Sequence, residues 1–363
     1  MPMAAAAPLN ATNTTSGSDR DLVEVSVCIA NWNCKELLRR CLKSLFTSQQ
    51  GTQFEVIVAD NASTDGAAEM VACEFPQVIL IRNSENRGFA AASNQAAARS
   101  VGSHLLFLNN DTEVPPHTLQ RLLNHAVANP AGGMFGPRLR EPNGAIQISY
   151  RRRPTIAALL HKVSLVRWTG LFRRAYSEYR RGSFDPNGVR PVEVLMGPAV
   201  FLPREVFEAA GQWDERYRFG VEDIDLATQV GRTREVVFAG DVEVIHHGRV
   251  SSRANVGFVA PNVATGYVQF FRKTGVGPWS LFWYKLAVTL DAPVQLIGKS
   301  TEAIARWVDG QQLNAQRSWA AGYRQPQLQD RARSQQQNAR RSWAAVRGVW
   351  AFLRHELVRF WRA

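Results

Sequence analysis

Three carboxylates lie close together where the chain reads Phe-Gly-Val-Glu-Asp-Ile-Asp-Leu, from Phe219 to Leu226. They belong to Glu222, Asp223 and Asp225, and apolar side chains surround them. Mutual repulsion and loss of water both raise the pKa of a carboxyl group. Such a group suits proton abstraction near neutral pH, so the cluster is a candidate general base. A second interpretation is a solvated acidic turn or helix N-terminus, where carboxylates favour the helix dipole. The cluster alone leaves both interpretations open.

The composition is that of a folded, intracellular chain. With 363 residues, of which 45% are hydrophobic, the chain fills one large domain or two modest ones. The four cysteines all fall in the first quarter without a C-x-x-C pair, which favours neither a zinc site nor a disulfide framework. Residues 1–22 lack the apolar core of a signal peptide and predict a disordered tail. We therefore expect a cytoplasmic protein.

The net charge of +12 is concentrated in two segments. Tyr150–Arg181 and Lys299–Ala363 each carry a net charge of +8, and the remainder is slightly acidic. Local basicity of this kind indicates contact with an anion, for which lipid headgroups, phosphates and nucleic acid are the candidates. No nucleic-acid recognition motif accompanies the charge, so we expect no nucleic-acid partner.

The first third of the chain alternates apolar runs with helical patterns. Runs typical of β-strands begin at Val25, Phe54, Val78 and Leu105, and the intervening stretches have helical spacing. Such βαβ alternation predicts a parallel, doubly wound sheet, whose ligands bind beyond the carboxyl ends of the strands. No G-x-G-x-x-G follows the first strand and no G-x-x-x-x-G-K-[ST] occurs, which argues against a dehydrogenase and a P-loop NTPase.

Polar residues follow every one of these four strands. In strand order they are Asn31 and Trp32, then Asp60, then Asn86 and Arg87, and finally Asn109 and Asp111. Trp32 is suited to stack on a base and Asp60 to accept hydrogen bonds from a base or ribose; the alternatives are a packed Trp and an Asx turn. Arg87 is suited to bind a diphosphate, or it belongs to an ordinary turn that enters a helix. Asp111 is a candidate ligand for Mg²⁺ or Mn²⁺, or a cap or turn aspartate.

In this order and spacing, the motifs identify a family resemblance. The chain from Val25 to about Ser252 resembles the inverting family-2 glycosyltransferases. The resemblance rests on Val-Ser-Val-Cys-Ile-Ala-Asn-Trp-Asn, Asp-Asn-Ala-Ser-Thr-Asp-Gly, Asn-Arg-Gly-Phe-Ala-Ala-Ala-Ser-Asn and Leu-Asn-Asn-Asp-Thr-Glu-Val. It implies a GT-A fold, a Rossmann-like doubly wound and mostly parallel sheet, here with a helical, basic C-terminal extension. It also implies that Asp60 contacts the base or ribose and that Asp111 carries the metal role of a D-x-D motif. The chain departs from that motif at Asn109, which leaves one charged ligand.

The stretch from Val192 to Ser252 resembles the acceptor-side half of rhamnosyltransferase-like members of this family. That resemblance implies that Asp223 is the general base, with Glu222 beside it. It also implies that His246, in preference to His247, is a further metal or diphosphate ligand; a lone His after an apolar strand is otherwise structural. Glu222 and Asp225 would tune the base or orient sugar hydroxyls, or Asp225 caps the following helix.

Four segments follow from this interpretation. After the tail at 1–22 we expect a nucleotide-sugar half at 23–137, an acceptor-binding and catalytic half at 138–274, and a helical membrane-associated or interaction region at 275–363. Gly277–Gly298 is apolar but contains Lys285, Asp291 and Pro293, so it does not reach the length of a spanning helix.

The final segment, Arg340–Ala363, repeats aromatic and basic residues at helical spacing. Its apolar positions are Trp343, Val346, Trp350, Leu353, Leu357 and Trp361. This pattern predicts an interfacial helix on the inner face of the cell membrane, or else a helix packed on the catalytic domain or a partner.

The sequence therefore predicts an inverting glycosyltransferase that depends on Mg²⁺ or Mn²⁺. The best specific expectation is transfer of L-rhamnose from dTDP-rhamnose to a lipid-linked or polysaccharide acceptor. The acceptor's diphosphate would suit the arginines of Arg151–Arg153, which otherwise form a solvated loop. The alternative from another class is a catalytically inactive sugar-nucleotide or glycan-binding subunit recruited to the membrane, supported only by Asn109. A nucleotidyltransferase would need a glycine-rich phosphate loop, which the chain lacks.

Overall fold

A computed structural model describes residues 23–48, 51–180, 184–248, 256–319 and 326–363. The predicted tail at 1–22 lies outside them. The strands are β1 (Val25–Asn31), β2 (Phe54–Asp60), β3 (Ile79–Arg82), β4 (His104–Leu108), β5 (Thr112–Glu113), β6 (Gly132–Arg140), β7 (Tyr150–Arg151), β8 (Val189–Pro191), β9 (Val194–Leu195), β10 (Ala199–Pro203) and β11 (Glu235–His246).

Helices alternate with these strands and then make up most of the C-terminal third. They are α1 (Lys35–Ser48), α2 (Ala67–Glu74), α3 (Phe89–Arg99), α4 (Thr118–Ala128), α5 (Ile156–Leu160), α6 (Ser164–Trp168), α7 (Arg173–Arg180), α8 (Arg204–Ala209), α9 (Glu222–Val230), α10 (Val256–Lys273), α11 (Pro278–Trp319), α12 (Pro326–Ala351) and α13 (Leu357–Arg362). A π-helical turn, Phe352–Glu356, joins the last two.

The predicted α/β fold with a doubly wound sheet is confirmed. Among the described residues, one sheet of nine strands has the order β3-β2-β1-β4-β10-β6-β11-β5, with β8 paired to β11. The strands β3, β2, β1 and β4 are parallel, β10 is antiparallel to β4 and β6, and β6 is parallel to β11. The four predicted strand ends therefore meet at one edge, as parallel strands require.

Two hydrophobic clusters cover the two faces of the sheet. On one face, Leu38 and Leu42 of α1 pack with Val27 of β1, and all three are fully buried. On the other face, Phe107 of β4 packs in a cluster with the alanines of α3, whose small side chains allow a close approach to the strands. Alternate residues of a strand point to opposite faces, so the apolar runs of the sequence supply both clusters.

The C-terminal helices pack on the catalytic half rather than standing apart from it. Leu353, Leu357 and Trp361 of the predicted interfacial helix pack against the main hydrophobic cluster, and Phe360 is fully buried. Trp361 Nε1 donates a hydrogen bond to Thr289 Oγ1 at 3.1 Å. Part of the helix face that the sequence predicted to lie on a membrane is therefore buried inside the protein, because it packs on the apolar surface of α10 and α11. Within the described ranges, no helix combines the length and the hydropathy needed to cross a bilayer.

Candidate active site

A chain of side-chain hydrogen bonds connects the ends of three neighbouring strands. Asn110 Nδ2 donates to Asn31 Oδ1 at 2.7 Å, and Asn31 Nδ2 donates to Asp60 Oδ1 at 2.8 Å. The sheet pairing sets this chain, because Asn31 and Asp60 are register partners in β1 and β2. Sequence reasoning named Asn31 and Asp60 but missed Asn110, whose only signal was its position directly after β4.

Asp60 is held on both carboxylate oxygens. Its Oδ1 also accepts from Ser63 Oγ at 2.6 Å, and its Oδ2 accepts from Ser63 N at 3.0 Å. The alternative of an Asx-type turn at Asp60 is thus realised in the structure, and Asn31 acts as a residue that positions Asp60. Trp32 is 37% exposed beside this network, so its ring is accessible to a ligand.

The loop that precedes α3 is shaped by a glycine. Gly88 has a φ of +84°, and a Cβ there would lie 3.7 Å from the carbonyl oxygen of Arg218. Asn86 Oδ1 accepts a hydrogen bond from Gly88 N at 2.9 Å, which closes the turn. Arg87 is exposed, and in the described part of the chain it forms no ion pair. Its guanidinium is available to an anionic ligand at the edge where the strands end.

Strand pairing brings the two predicted metal ligands together. His246 of β11 is the register partner of Thr112 in β5, next to Asp111. As a result His246 Nε2 lies 3.4 Å from Asp111 Oδ1, and both side chains are buried. His247 instead contacts Glu113 Oε1 at 2.7 Å through its Nε2. The preference for His246 over His247 therefore agrees with the geometry, although 135 positions separate it from Asp111 in sequence.

The chemistry of this pair fits a cation. Gln147 Nε2 donates to the carbonyl oxygen of His246 at 2.9 Å, which turns Gln147 Oε1 toward His246 Nδ1 at 2.8 Å. Nδ1 must then carry the proton, and in the neutral ring the lone pair of Nε2 faces the Asp111 carboxylate. Two facing acceptors are stabilised by a cation between them, and a metal-bound His commonly donates its other N–H in this way. In the described part of the chain no group of three His, Cys, Asp or Glu side chains is arranged for a metal, so further ligands would come from elsewhere.

The acidic cluster begins a helix after a strained turn. Gly220 and Val221 have φ of +71° and +80°, and α9 starts at Glu222. Positive φ in a β-branched residue such as Val221 is costly and persists only where the surrounding structure enforces it. Gly266 of α10 allows the approach, because a Cβ there would lie 3.2 Å from Gly220 O. Glu222 and Asp223 therefore lie in the first turn of α9, directly after the strained turn.

Each carboxylate of the cluster has a different environment. Asp223 Oδ2 faces Arg151 Nη2 at 3.5 Å, and both side chains are nearly nine-tenths buried. Burial and the neighbouring charge of Asp223 raise the pKa of Glu222 to about 8, and Glu222 Oε2 is buried without a hydrogen-bond partner. Asp225 Oδ2 accepts from Lys273 Nζ at 2.6 Å. The expected rise in pKa therefore falls on Glu222, and Asp225 is a buried ion-pair partner rather than a helix cap.

A two-residue segment, Gly197–Pro198, joins the acidic cluster to the strand edge. A Cβ on Gly197 would lie 3.6 Å from Asp223 Cβ, and the carbonyl oxygen of the next residue, Pro198, accepts a hydrogen bond from Asn109 N at 2.9 Å. Gly197–Pro198 thus lies next to Asp223 and is bonded to the strand end at Asn109. Two adjacent residues therefore connect the predicted base with the strand end that carries Asp111.

A cavity of about 450 Å³ adjoins Arg151. Its lining comes from β7, β8 and the two residues after β8, and includes Arg151, Arg152, Arg190 and Glu193. Arg190 Nε is buried without a hydrogen-bond partner, although Arg190 Nη2 pairs with Asp185 at 2.6 Å. Three arginines and one glutamate line this cavity, and each arginine also lies within 4 Å of a carboxylate outside the lining. The sequence had indicated only the run from Arg151 to Arg153.

The raised pKa of Glu222 predicts a pH-dependent stability. The folded protein retains a proton that the unfolded chain releases above its ordinary pKa of 4.5, so stability falls as pH rises from about 4.5 to about 8. Glu222→Gln cannot ionise and should gain on the order of 2 kcal/mol over wild type across that range. Denaturant unfolding at several pH values measures the difference. The exposed control Glu208→Gln should follow wild type at every pH, and a pH-independent gap for Glu222→Gln would contradict the assignment.

The pair of Asp111 and His246 predicts direct binding of Mn²⁺. The affinity for Mn²⁺ can be measured without an activity assay. Mn²⁺ is titrated into the protein in the presence of dTDP, and the electron paramagnetic resonance signal of free Mn²⁺ is recorded. Asp111→Asn should weaken the affinity at least about tenfold, because removal of even supporting residues has effects of that size. The neighbouring His247→Ala serves as control and should bind as wild type does. Equal affinity of Asp111→Asn and wild type would exclude this pair as ligands.

Comparisons of the sequence with known proteins agree on one protein family. The model of Glycosyl transferase family 2 matches residues 26–188. An N-acetylglucosaminyl-diphospho-decaprenol L-rhamnosyltransferase of Mycobacterium tuberculosis is 30% identical over 224 residues, which cover 58% of this chain and 71% of that protein. The O-antigen biosynthesis protein RfbC of Myxococcus xanthus is 29% identical over 245 residues, 65% of this chain but 18% of that protein.

A solved structure supports the fold. GalNAc-T7, crystallised with UDP, GalNAc and Mn²⁺, superposes with a TM-score of 0.53 at 16% identity, over 69% of this chain and 48% of that one. The chain thus spans about half of that protein, and the likeness concerns the fold, which is of the GT-A type. Together with the mycobacterial relative and the matched family model, it leads to one conclusion: the chain belongs to glycosyltransferase family 2 and is a glycosyltransferase.

Proposed function

We propose that the protein transfers L-rhamnose from dTDP-rhamnose to a lipid-linked acceptor with inversion, and that Asp223 is the general base. The observation that carries the proposal is the position of Asp223. It lies next to Gly197, whose neighbour Pro198 accepts a hydrogen bond from Asn109 N at the strand end, and it faces Arg151 at 3.5 Å. A base in that position can reach an acceptor hydroxyl while the donor lies along the strand edge.

The mechanism is a single displacement at the anomeric carbon. Asp223 takes the proton of the acceptor hydroxyl as its oxygen attacks that carbon, and the bond to the nucleoside diphosphate breaks on the opposite face. Burial and the neighbouring charge of Asp223 raise the pKa of Glu222 to about 8, which favours the protonated form of Glu222 near neutral pH and makes it the poorer candidate for the base. Arg87 offers a cation to the departing diphosphate. When bound at Asp111 and His246, Mg²⁺ or Mn²⁺ would neutralise charge on the leaving group.

The donor assignment rests on the relatives. The mycobacterial relative is named as an L-rhamnosyltransferase, and its match covers 58% of this chain. The exposed ring of Trp32 and the carboxylate of Asp60 stand where a base and ribose would lie beside the diphosphate. Rhamnose carried on dTDP is therefore the first donor to test.

The acceptor assignment rests on the arginine-lined cavity. The same relative is named for an N-acetylglucosaminyl-diphospho-decaprenol acceptor. A diphosphate prefers arginine, whose planar guanidinium donates two parallel hydrogen bonds. The cavity next to Arg151 has Arg152 and Arg190 in its wall and lies on the acceptor side of Asp223. We assign to it the diphosphate of a lipid-linked acceptor.

An inactive binding subunit is the weaker alternative. Its support was Asn109 in place of the first acid of a D-x-D motif. His246 at 3.4 Å from Asp111 offers a second ligand from β11, so the loss of that acid does not leave Asp111 alone.

The role of Asp223 is tested by Asp223→Asn, which keeps the shape and removes the base. Transfer from dTDP-rhamnose to a short-chain N-acetylglucosaminyl-diphospho-polyprenol should fall by about 10²-fold to 10⁴-fold. Thermal unfolding should remain close to wild type, and the exposed Asp309→Asn is the matched control for both measurements. A folded Asp223→Asn variant with most of the wild-type rate would refute the base assignment. An inactive wild type with every nucleotide sugar tried would favour the binding subunit.

The arginine-lined cavity predicts a change in KM for the acceptor. Arg152→Gln removes one cation from the wall, and a hydrogen bond to a charged group of this kind contributes about tenfold in affinity. We expect KM for the diphosphate-linked acceptor to rise about tenfold, with kcat and KM for the donor little changed. Arg99→Gln, an exposed arginine on α3, should leave all three constants unchanged. A rise confined to the KM for the donor would show that the cavity binds the donor instead of the acceptor.

A further inference from the structure

Exposed apolar side chains are concentrated at one place outside the active site. In α6 and in the turn that follows it, Leu165, Trp168, Leu171 and Phe172 are 50%, 86%, 56% and 38% exposed. Trp168 is almost as accessible as in an unfolded chain, although Trp is usually well buried. Clustered exposure of this kind marks an interaction surface rather than ordinary surface variation.

A second exposed set lies along the first half of α11. Trp279, Trp283, Leu290, Val294 and Ile297 are between 38% and 75% exposed. At about 100° per residue these five positions fall within an arc of about 60°, so they form one stripe about 27 Å long. The opposite face of α11 is buried, with Leu281 at 8% and Ala292 at 4% exposure. The stripe is thus the outer face of a helix whose inner face packs on the catalytic half.

The two sets are neighbours. Asp291 Oδ1 of α11 accepts a hydrogen bond from Ser164 N, the first residue of α6, at 2.8 Å. Leu165 therefore lies next to α11, one position along α6 from this bond, and Leu290 lies one position from it along α11. We define the docking surface as the segment Leu165–Arg173 together with the α11 stripe from Trp279 to Ile297.

Unpaired positive charge accompanies the docking surface. From Pro154 to Ser177 the chain has four Lys and Arg side chains and no acidic one. Two of them, Arg167 and Arg173, are exposed within the surface and form no ion pair with another described residue. Apolar and cationic side chains interleaved in this way, with Trp among them, are typical of segments that lie in the headgroup region of an anionic bilayer.

The docking surface is also connected to the catalytic base. Lys162, three positions before Leu165, places Nζ over the ring of Tyr267 at 5.5 Å. Tyr267 bonds Tyr179 hydroxyl to hydroxyl at 2.8 Å, and Tyr179 accepts from Arg151 Nη1 at 3.1 Å. Arg151 in turn faces Asp223. A continuous layer of cationic and phenolic side chains therefore leads from the surface to the acceptor side of the site.

We propose that the docking surface binds an anionic lipid bilayer and so presents the acceptor cavity to the membrane. The surface differs from the tail that the sequence indicated, since Leu353, Leu357 and Trp361 pack inside the molecule. The orientation toward a lipid-linked acceptor rests on the proposed function, whereas bilayer binding itself does not. The wild-type chain therefore binds vesicles without substrate, and it binds more tightly as the anionic lipid content rises.

Flotation with vesicles of phosphatidylcholine alone, and with added phosphatidylglycerol, tests this proposal. Trp168→Ser/Leu171→Ser should lower the partition coefficient at least about tenfold on anionic vesicles. The variant lacks two apolar side chains that would insert into the bilayer. Arg167→Gln/Arg173→Gln should lower it about tenfold on anionic vesicles and leave binding to phosphatidylcholine unchanged. Val127→Ser, a 73% exposed apolar position on α4, is the matched control and should bind as wild type. These positions are exposed, so thermal unfolding should be unchanged in all variants.

Three results would overturn the proposal. The first is a wild type that fails to float with any vesicle. The second is loss of binding in Trp350→Ser, a 54% exposed tail position, with full binding of Trp168→Ser/Leu171→Ser. The third is a wild-type dimer in sedimentation without vesicles that the same double variant converts to a monomer, which would show a second copy on this face. Transfer to a short, water-soluble acceptor should persist in the double variant, so failure of docking is distinguishable from failure of the proposed function.

Discussion

Charge balance in a nearly dry interior is the constraint on which the catalytic half depends. Three carboxylates within one helical turn cannot all stay ionised and unpaired away from water. The molecule stabilises each by a different means: Glu222 keeps its proton, Asp223 faces Arg151, and Asp225 binds Lys273. The two cations come from β7 and from the end of α10. Those elements are thereby fixed around α9, and the strained turn at Val221 is enforced from both sides.

This arrangement distinguishes the proposed base from the two carboxylates beside it. Removing one partner of a buried ion pair costs several kcal/mol, so Lys273 is as necessary to the local fold as any apolar residue. Asp223 faces an arginine at 3.5 Å, whereas Asp225 is bound by a lysine at 2.6 Å and Glu222 Oε2 is buried without a hydrogen-bond partner. Its environment, rather than its place in the sequence cluster, distinguishes it.

Local patterns predicted the first strands of the sheet well. The strand ends at Asn31, Asp60 and Asn109 depend on runs of a few residues, and the sheet then brings them together as parallel strands must. The contacts that complete the site were not predictable in this way. The pair of Arg151 and Asp223 joins segments that are 72 positions apart, and the pair of Gln147 and His246 joins segments that are 99 positions apart. Hydrophobic periodicity in the sequence does not predict such pairs. The sequence left two interpretations of the C-terminal helix open for a related reason, because its apolar face is the same whether it meets lipid or α11.

The hydrogen bonds around Asp60 limit how a nucleotide can be recognised. A carboxylate has about four lone-pair directions, and Asn31 and Ser63 already occupy three of them on Asp60. One acceptor direction is left, on Oδ2, so Asp60 can receive a single new donor without breaking an internal bond. It can therefore serve the base or the sugar of a nucleotide, but not both at once. In the proposed role, Asp60 would distinguish one nucleotide from another by a single hydrogen bond. The donor would be the one N–H or O–H group that can reach the free lone pair on Oδ2.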